Sequence, residues 1–218
     1  MTRPSLSAAV LCCITLLTAC TIDAYEKGQG DLSLMTAELV DAYVGSDMTV
    51  LQAETDRGQR LTLSPPPTAA WITVPDTTVR ALLYYKPLGD GRAQPVSLSW
   101  VGVLQPHDSI QGGMRRDPLH AESVWLSKGG NYLNLRLRLL SGYTDDEAAR
   151  HILALVTDAR RSTPTHAFLQ LYHDQGGQPE YYSVVSYFTV PLRTVAADTV
   201  TITVNTYDGT WERTLTTP

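Results

Sequence analysis

The chain has 218 residues, 43% of them hydrophobic and 18% charged, with a formal net charge of −5. That apolar content is ordinary for a folded protein and excludes disorder over most of the length. The length suits one large or two small domains, and the acidic balance argues against nucleic acid as a partner.

Residues 1–19 read as a lipoprotein signal peptide. A basic start at Arg3 precedes an uncharged apolar run from Leu6 to Ala19, too short to cross a bilayer comfortably. The run ends in Leu17-Thr18-Ala19-Cys20, an aliphatic residue and two small ones before a cysteine, which is the pattern of the bacterial lipobox. The expectation is cleavage before Cys20 and acylation of its thiol, with the membrane as partner. Several acyl chains hold a protein durably where one binds only marginally. Of the three cysteines, Cys12 and Cys13 would be discarded with the peptide, so no disulfide, catalytic thiol or cysteine metal site is expected. Without Arg3 the balance becomes 16 basic against 22 acidic residues, a net charge of −6.

Residues 20–30 are short and polar and read as the lipidated tether. Beyond them the hydrophobic period is mostly two. In PVSLSWVGVL, Val96, Leu98 and Trp100 share one strand face. In NYLNLRLRLL, Leu133, Leu135, Leu137 and Leu139 alternate with Tyr132, Asn134, Arg136 and Arg138, a half-buried strand with one wet face. In TVTITVN, Val200, Ile202 and Val204 share a face opposite threonines, which suit a pleated surface. Turn signals punctuate the runs at Asp56-Arg57-Gly58, Gly89-Asp90-Gly91, Gly112-Gly113 and Asp208-Gly209, the last reading as a tight two-residue hairpin. Pro65-Pro66-Pro67 must be loop or edge. Helix is scarce: Thr144 and Glu147 have the spacing of a capping box, which predicts at most a short helix before the strand-like ILALVTD.

The longest stretch without periodicity, residues 105–120, is rich in Gly, Pro and charge and is the expected domain border. The fold class is therefore all-β, a small barrel over residues 31–108 followed by a sandwich over 118–218.

The stretch LYHDQGGQPEYYS, residues 171–183, looks most like chemistry. His173 with Asp174 suggests an oriented base or a pair of metal ligands, with Glu180 as a third group. Yet neighbouring strand residues point to opposite faces, and His107, His120, His151 and His166 show no zinc spacing. His173 continues the face of Ala167, Leu169 and Leu171, so the reading adopted is a hairpin whose glycines supply positive φ and whose histidine is a satisfied polar group. Phosphate loops, nucleophile elbows and His-Glu-x-x-His pairs do not occur. The chain is therefore expected to be no enzyme and to use no cofactor or metal. Tyr181, Tyr182, Tyr187 and Trp211, with His173 at the edge of the core, are the candidate binding residues, since tyrosine and tryptophan on a wet face suit protein interfaces and sugar stacking. Partly buried cross-strand pairs are the alternative.

Two long phrases carry a resemblance. AESVWLSKGGNYLNLRLRLLSG, followed some thirty residues later by LYHDQGGQPEYYSVVSYFTVPL, resembles the C-terminal part of the NigD-like lipoproteins. DLSLMTAELVDA, TDRGQRLTL and TVRALLYYKPL are more loosely similar to that family's N-terminal part. The resemblance implies an OB-like barrel followed by a β-sandwich, on a lipoprotein of the Gram-negative envelope, anchored to the outer membrane and facing either the periplasm or the surface. It brings no catalytic residues. The tract after Cys20 departs from a densely acidic one, having only Asp23 and Glu26, which leaves surface export open. The expected function is a non-catalytic binding module that engages a protein such as a bacteriocin or its receptor, in an immunity role. A glycan-binding accessory lipoprotein is the alternative.

Overall fold

The computed structural model describes residues 35–217. The expected signal peptide, the lipidation site Cys20 and the tether of residues 20–30 lie outside the described residues.

The period-two patterning folds as strands. β1 (Thr36–Val44), β2 (Val50–Thr55), β3 (Arg60–Leu63), β4 (Thr77–Gly89) and β5 (Arg92–Trp100) close into a barrel of order β1-β2-β3-β5-β4, with β4 returning to pair along the whole of β1. Only β3 and β5 run parallel. This is the strand order of an OB fold, whose closure leaves no free edge on the barrel strands. Val40, Ala42, Val50, Ala53, Leu63, Ala81, Leu83 and Ala93 fill its interior and are fully buried. The β4–β5 turn uses Asp90 and Gly91 at φ 51° and 70°, the two positive values that a type I′ hairpin demands.

The sandwich comprises β6 (Gly102–Val103), β7 (Pro106–His107), β8 (His120–Leu126), β9 (Tyr132–Ser141), β10 (Ile152–Thr157), β11 (His166–Asp174), β12 (Tyr182–Pro191), β13 (Thr199–Thr206) and β14 (Gly209–Thr216). One sheet has the order β14-β13-β11-β10-β7, the other β6-β12-β9-β8. Leu133, Leu135, Leu137 and Leu139 of β9 face Leu155, Leu169, Leu171, Val200, Ile202 and Val204 across a single core. From Thr36 on, barrel and sandwich cluster as one compact unit.

Several expectations are corrected. The stretch 171–183 is not a hairpin: β11 and β12 belong to different sheets, and the turn carries the chain from one sheet of the sandwich to the other. Residues 102–107, assigned to the barrel domain of 31–108, pair instead with β12 and β10 of the sandwich. The aperiodic segment of 105–120 is thus not the border but a crossing inside the sandwich. No helix forms at Thr144: its Oγ1 accepts the amide of Asp146, whose carboxylate accepts the amide of Ala148, so successive side chains take the amides that a helix would direct to backbone. The final hairpin is two residues long, as expected, but turns at Tyr207-Asp208, with Gly209 already paired to Thr206. Val96, Leu98 and Trp100 do not all share a face. The β4–β5 register slips between Tyr84 and Tyr85, which leaves Val96 as a bulge; beyond it Leu98 and Trp100 keep one face, opposite Leu83 and Ala81, with Leu98 packed on the barrel core and Trp100, the last residue of β5, 57% exposed.

Candidate functional site

The barrel meets the sandwich through buried polar groups. Arg80 of β4, buried, donates Nη2 to Asp56 and Nη1 to Asp41 Oδ1 at 3.3 Å, and stacks its guanidinium 4.1 Å from the centre of the Tyr132 ring. Asn134 of β9, fully buried, donates to Asp56 Oδ2 at 2.8 Å and accepts from Thr189 Oγ1 at 2.8 Å. Tyr132 donates its hydroxyl to Asp41 at 3.0 Å; burial and then the Asp41 charge push its pKa up to about 12. The half of β9 that reads as wet in the sequence is therefore divided. Tyr132 and Asn134 are covered by the barrel, while Arg136 and Arg138 are partly exposed and pair with Glu122. This latch is structural, and it fixes how Trp100 meets the sandwich.

Trp100 stands at that junction. Its ring lies edge-on to Phe188 of β12, with centroids 6.2 Å apart and planes at 89°. Gly102 permits this contact, because a Cβ there would sit 2.4 Å from Phe188 Cδ1 and 3.0 Å from Trp100. Three clefts reach the indole, one of them, of about 390 Å³, on the barrel side with Trp71, Ile72 and Val74; the other two face the sandwich. One, of about 480 Å³, is lined by Trp100, Leu104, Leu139, His151, Ile152 and Phe188 among others; the second, of about 330 Å³, includes Tyr84, Arg136, Ser186 and Tyr187.

Beside the indole runs an open strand edge. β6 pairs with β12 only at Phe188 and Thr189, so among the described residues Tyr182–Tyr187 have no strand alongside on that side. On the facing sheet β7 covers β10 only at Leu155 and Val156. Tyr181 is 79% exposed, and Tyr182, Val184 and Ile152 are also exposed. A strand edge of unpaired N–H and C=O groups flanked by exposed apolar side chains is a template for an added strand.

Of the residues singled out in the sequence, Tyr181 and Tyr182 lie at this edge and Tyr187 lines the second cleft, half-buried against Leu39, Leu82, Val101 and Trp125. Trp211 does not join them: it is in β14 of the other sheet, half-buried on the core, with the Arg213 guanidinium 5.1 Å from its ring centre. His173 is 3% exposed and lies inside the fold. Asp174 turns away from it to meet Arg115 at 3.3 Å, and Glu180 accepts from Tyr207 at 3.3 Å, so the three do not form a site. Among the described residues, no group of three His, Cys, Asp or Glu is placed to hold a metal ion. Trp100 was missed as a site residue because strict alternation assigned it to a face with Val96 and Leu98. It does share the face of Leu98, but it ends β5, and whether a strand end is covered is something period-two patterning does not encode.

The model of the NigD-like C-terminal beta sandwich domain matches residues 103–217. Among solved structures, a NigD-like immunity protein from Bacteroides caccae is 27% identical, with a TM-score of 0.62 over 82% of this chain and 91% of that one. A Bacteroides vulgatus protein of unknown function is 16% identical, with a TM-score of 0.63 over 84% and 91%. A candidate lipoprotein of Bacteroides fragilis is 14% identical, with a TM-score of 0.58 over 83% and 96%. The last two likenesses speak to fold alone. Among curated proteins no match is found. With more than half of its length matched by the family model, and with the barrel-then-sandwich order in place, the chain belongs to the NigD-like family.

Proposed function

We propose that this protein is a non-catalytic binding module, held on the cell envelope by a lipid on Cys20, that protects its cell by engaging a bacteriocin or the receptor a bacteriocin uses. The observation that carries the reading is the open β12 edge, with Tyr181 and Tyr182 at one end and Trp100 against Phe188 about 20 Å along it: backbone groups for strand addition flanked by aromatic anchors. The likeness to a solved NigD-like immunity protein supports the immunity role. The lipobox at residues 17–20 supports the anchor, with the outer membrane as the site and residues 1–19 as its signal peptide.

Deleting the gene tests this. Sensitivity of the cell to bacteriocins encoded beside it should rise at least about tenfold, equivalent to about 1.4 kcal/mol of lost binding, and a Cys20→Ala chain should fail to restore protection. Unchanged sensitivity after deletion removes the immunity role.

A glycan-binding role is the second reading, favoured by the exposed rings of Tyr181, Tyr182 and Trp100 and by the habit of small barrels to bind oligosaccharides. Calorimetry against envelope and dietary glycans at millimolar sugar should then show heat that disappears in Trp100→Ala. No heat from any glycan rejects it.

A further inference from the structure

His173 and His151 form a chain of contacts whose proton count does not close with two neutral rings. At one end His173 Nδ1 lies 2.9 Å from the carbonyl oxygen of Asp117. At the other, His151 Nε2 lies 2.9 Å from the carbonyl oxygen of Leu140. Between them His151 Nδ1 and His173 Nε2 are 2.9 Å apart, with ring centroids 5.2 Å apart and planes 24° from parallel, so the rings meet edge to edge. A carbonyl oxygen only accepts, so each outer nitrogen must carry hydrogen. A neutral imidazole has a single N–H. Two neutral rings so placed would present bare lone pairs to each other across the inner contact. One further proton converts that clash into an N–H···N hydrogen bond.

We propose that His151 and His173 are a proton-binding site: together they hold one proton beyond neutrality, shared across the inner contact, and this proton ties the end of β9, the entry of β10 and the 115–117 segment together. With that proton in the inner contact every ring N–H of the pair meets an acceptor, and charge-assisted hydrogen bonds offset the burial. At His151, burial first and the His173 charge second hold the pKa down, against the hydrogen bond to Leu140 that raises it.

The surrounding charges leave the site to the two rings. On β11 and the 115–117 segment, Asp174 is paired with Arg115, Arg116 Nη2 donates to Gln170, and the Asp117 carboxylate accepts the Gln175 amide. On β9, Arg138 is paired with Glu122. In the 143–150 segment Asp145, Asp146, Glu147 and Arg150 are exposed, and from β12 the cleft beside His151 is lined by Ser186 and Phe188, neither of which carries charge.

The glycines of the HDQGG stretch build the pair. Gly176 has φ +57°, and a Cβ there would fall 2.1 Å from the Arg150 carbonyl oxygen. Only glycine lets this turn close on the residue that precedes His151.

The two states differ in proton count, so stability is linked to pH. Above the ordinary histidine range, about pH 6.5, the folded pair still holds a proton that two unfolded histidines have released; stability then declines as pH rises and the pair finally loses it. Well below that range the unfolded histidines bind two protons and the folded pair resists the second, so stability also declines toward acid. The optimum lies between.

Nitrogen-15 NMR of the histidine side chains in the intact chain decides the matter, with His107, His120 and His166 assigned through single variants. Three N–H groups on the four nitrogens of the pair at about neutral pH, with an inner hydrogen bond visible as N–N coupling, is the expected result. Two N–H groups, one per ring, overturn the proposal. Denaturant midpoints across pH supply the second measurement: His151→Gln should abolish the loss of stability between the histidine range and about pH 10, below the range where tyrosines ionise, and Gly176→Ala, which forces the 150–151 backbone away, should do the same. If a variant does not fold, the proton count in the unaltered chain still decides. Matching pH profiles for a folded His151→Gln variant and the unaltered chain overturn it equally.

Discussion

Four fully buried alanines, Ala42, Ala53, Ala81 and Ala93, line the barrel, whereas the sandwich fills its interior with Leu133, Leu135, Leu137, Leu155, Leu169 and Phe188. The difference follows from geometry. A sheet of five strands closed on itself leaves a narrow bore, while two sheets facing each other stand about 10 Å apart and need long side chains from both sides. The join between the two cores is mixed: a charged and hydrogen-bonded latch centred on Arg80 beside an apolar cluster of Leu39, Leu82 and Val101 with Trp125 and Tyr187. Apolar packing holds each domain together, and at the join it is combined with buried polar geometry.

The largest test of that contrast breaks the latch. Arg80→Met leaves Asp41 and Asp56 facing each other without their cation, which should cost about 3–5 kcal/mol. Calorimetry should then resolve barrel and sandwich transitions that melt together in the unaltered chain. Next, opposite changes of volume should have the same sign in the two cores. Leu135→Ala empties the sandwich at a cost of about 2–5 kcal/mol, and Ala81→Leu overfills the barrel at about 1–3 kcal/mol, both read as shifts in denaturant midpoint. At the junction, Gly102→Ala drives a methyl into Phe188 and should cost about 1–3 kcal/mol by the same measurement.

A smaller effect separates the regions by pH. Tyr85 in the barrel and Tyr132 at the latch both have pKa values pushed up to about 12, by burial first and then by Glu38 and Asp41 respectively. The unfolded chain ionises these tyrosines from about pH 10 and the folded chain does not, so stability should fall as pH rises from that value toward about 12. Tyr132→Phe should flatten part of this slope in pH-dependent unfolding. The smallest expected change in stability is beside the open edge: Trp100→Ala, which removes the edge-on contact with Phe188, should shift the midpoint by about 0.5–1.5 kcal/mol, while abolishing protection in the killing assay.

Much of the fold is legible in one dimension because a strand with one dry face repeats every two residues. The leucines of β9, the valines and isoleucine of β13 and the glycine-marked turns are local facts, and the sequence by itself determined an all-β chain with a barrel before a sandwich. The candidate site is legible only in part. Tyr181 and Tyr182 could be marked because adjacent strand residues cannot both be buried in one core, yet Trp211 carries the same signature and lies on the other sheet. What only the tertiary structure decided depends on contacts between residues far apart in the chain. Trp100 at the end of β5 came to lie edge-on to Phe188, two-residue strands at 102 and 106 left the sandwich edges open, and Asp41, Asp56, Arg80, Asn134 and Thr189 converged into one network. The facing of His151 and His173 belongs with these, for a side chain's neighbours, and so its proton, are set by the folding of distant strands onto one another rather than by periodicity along either one.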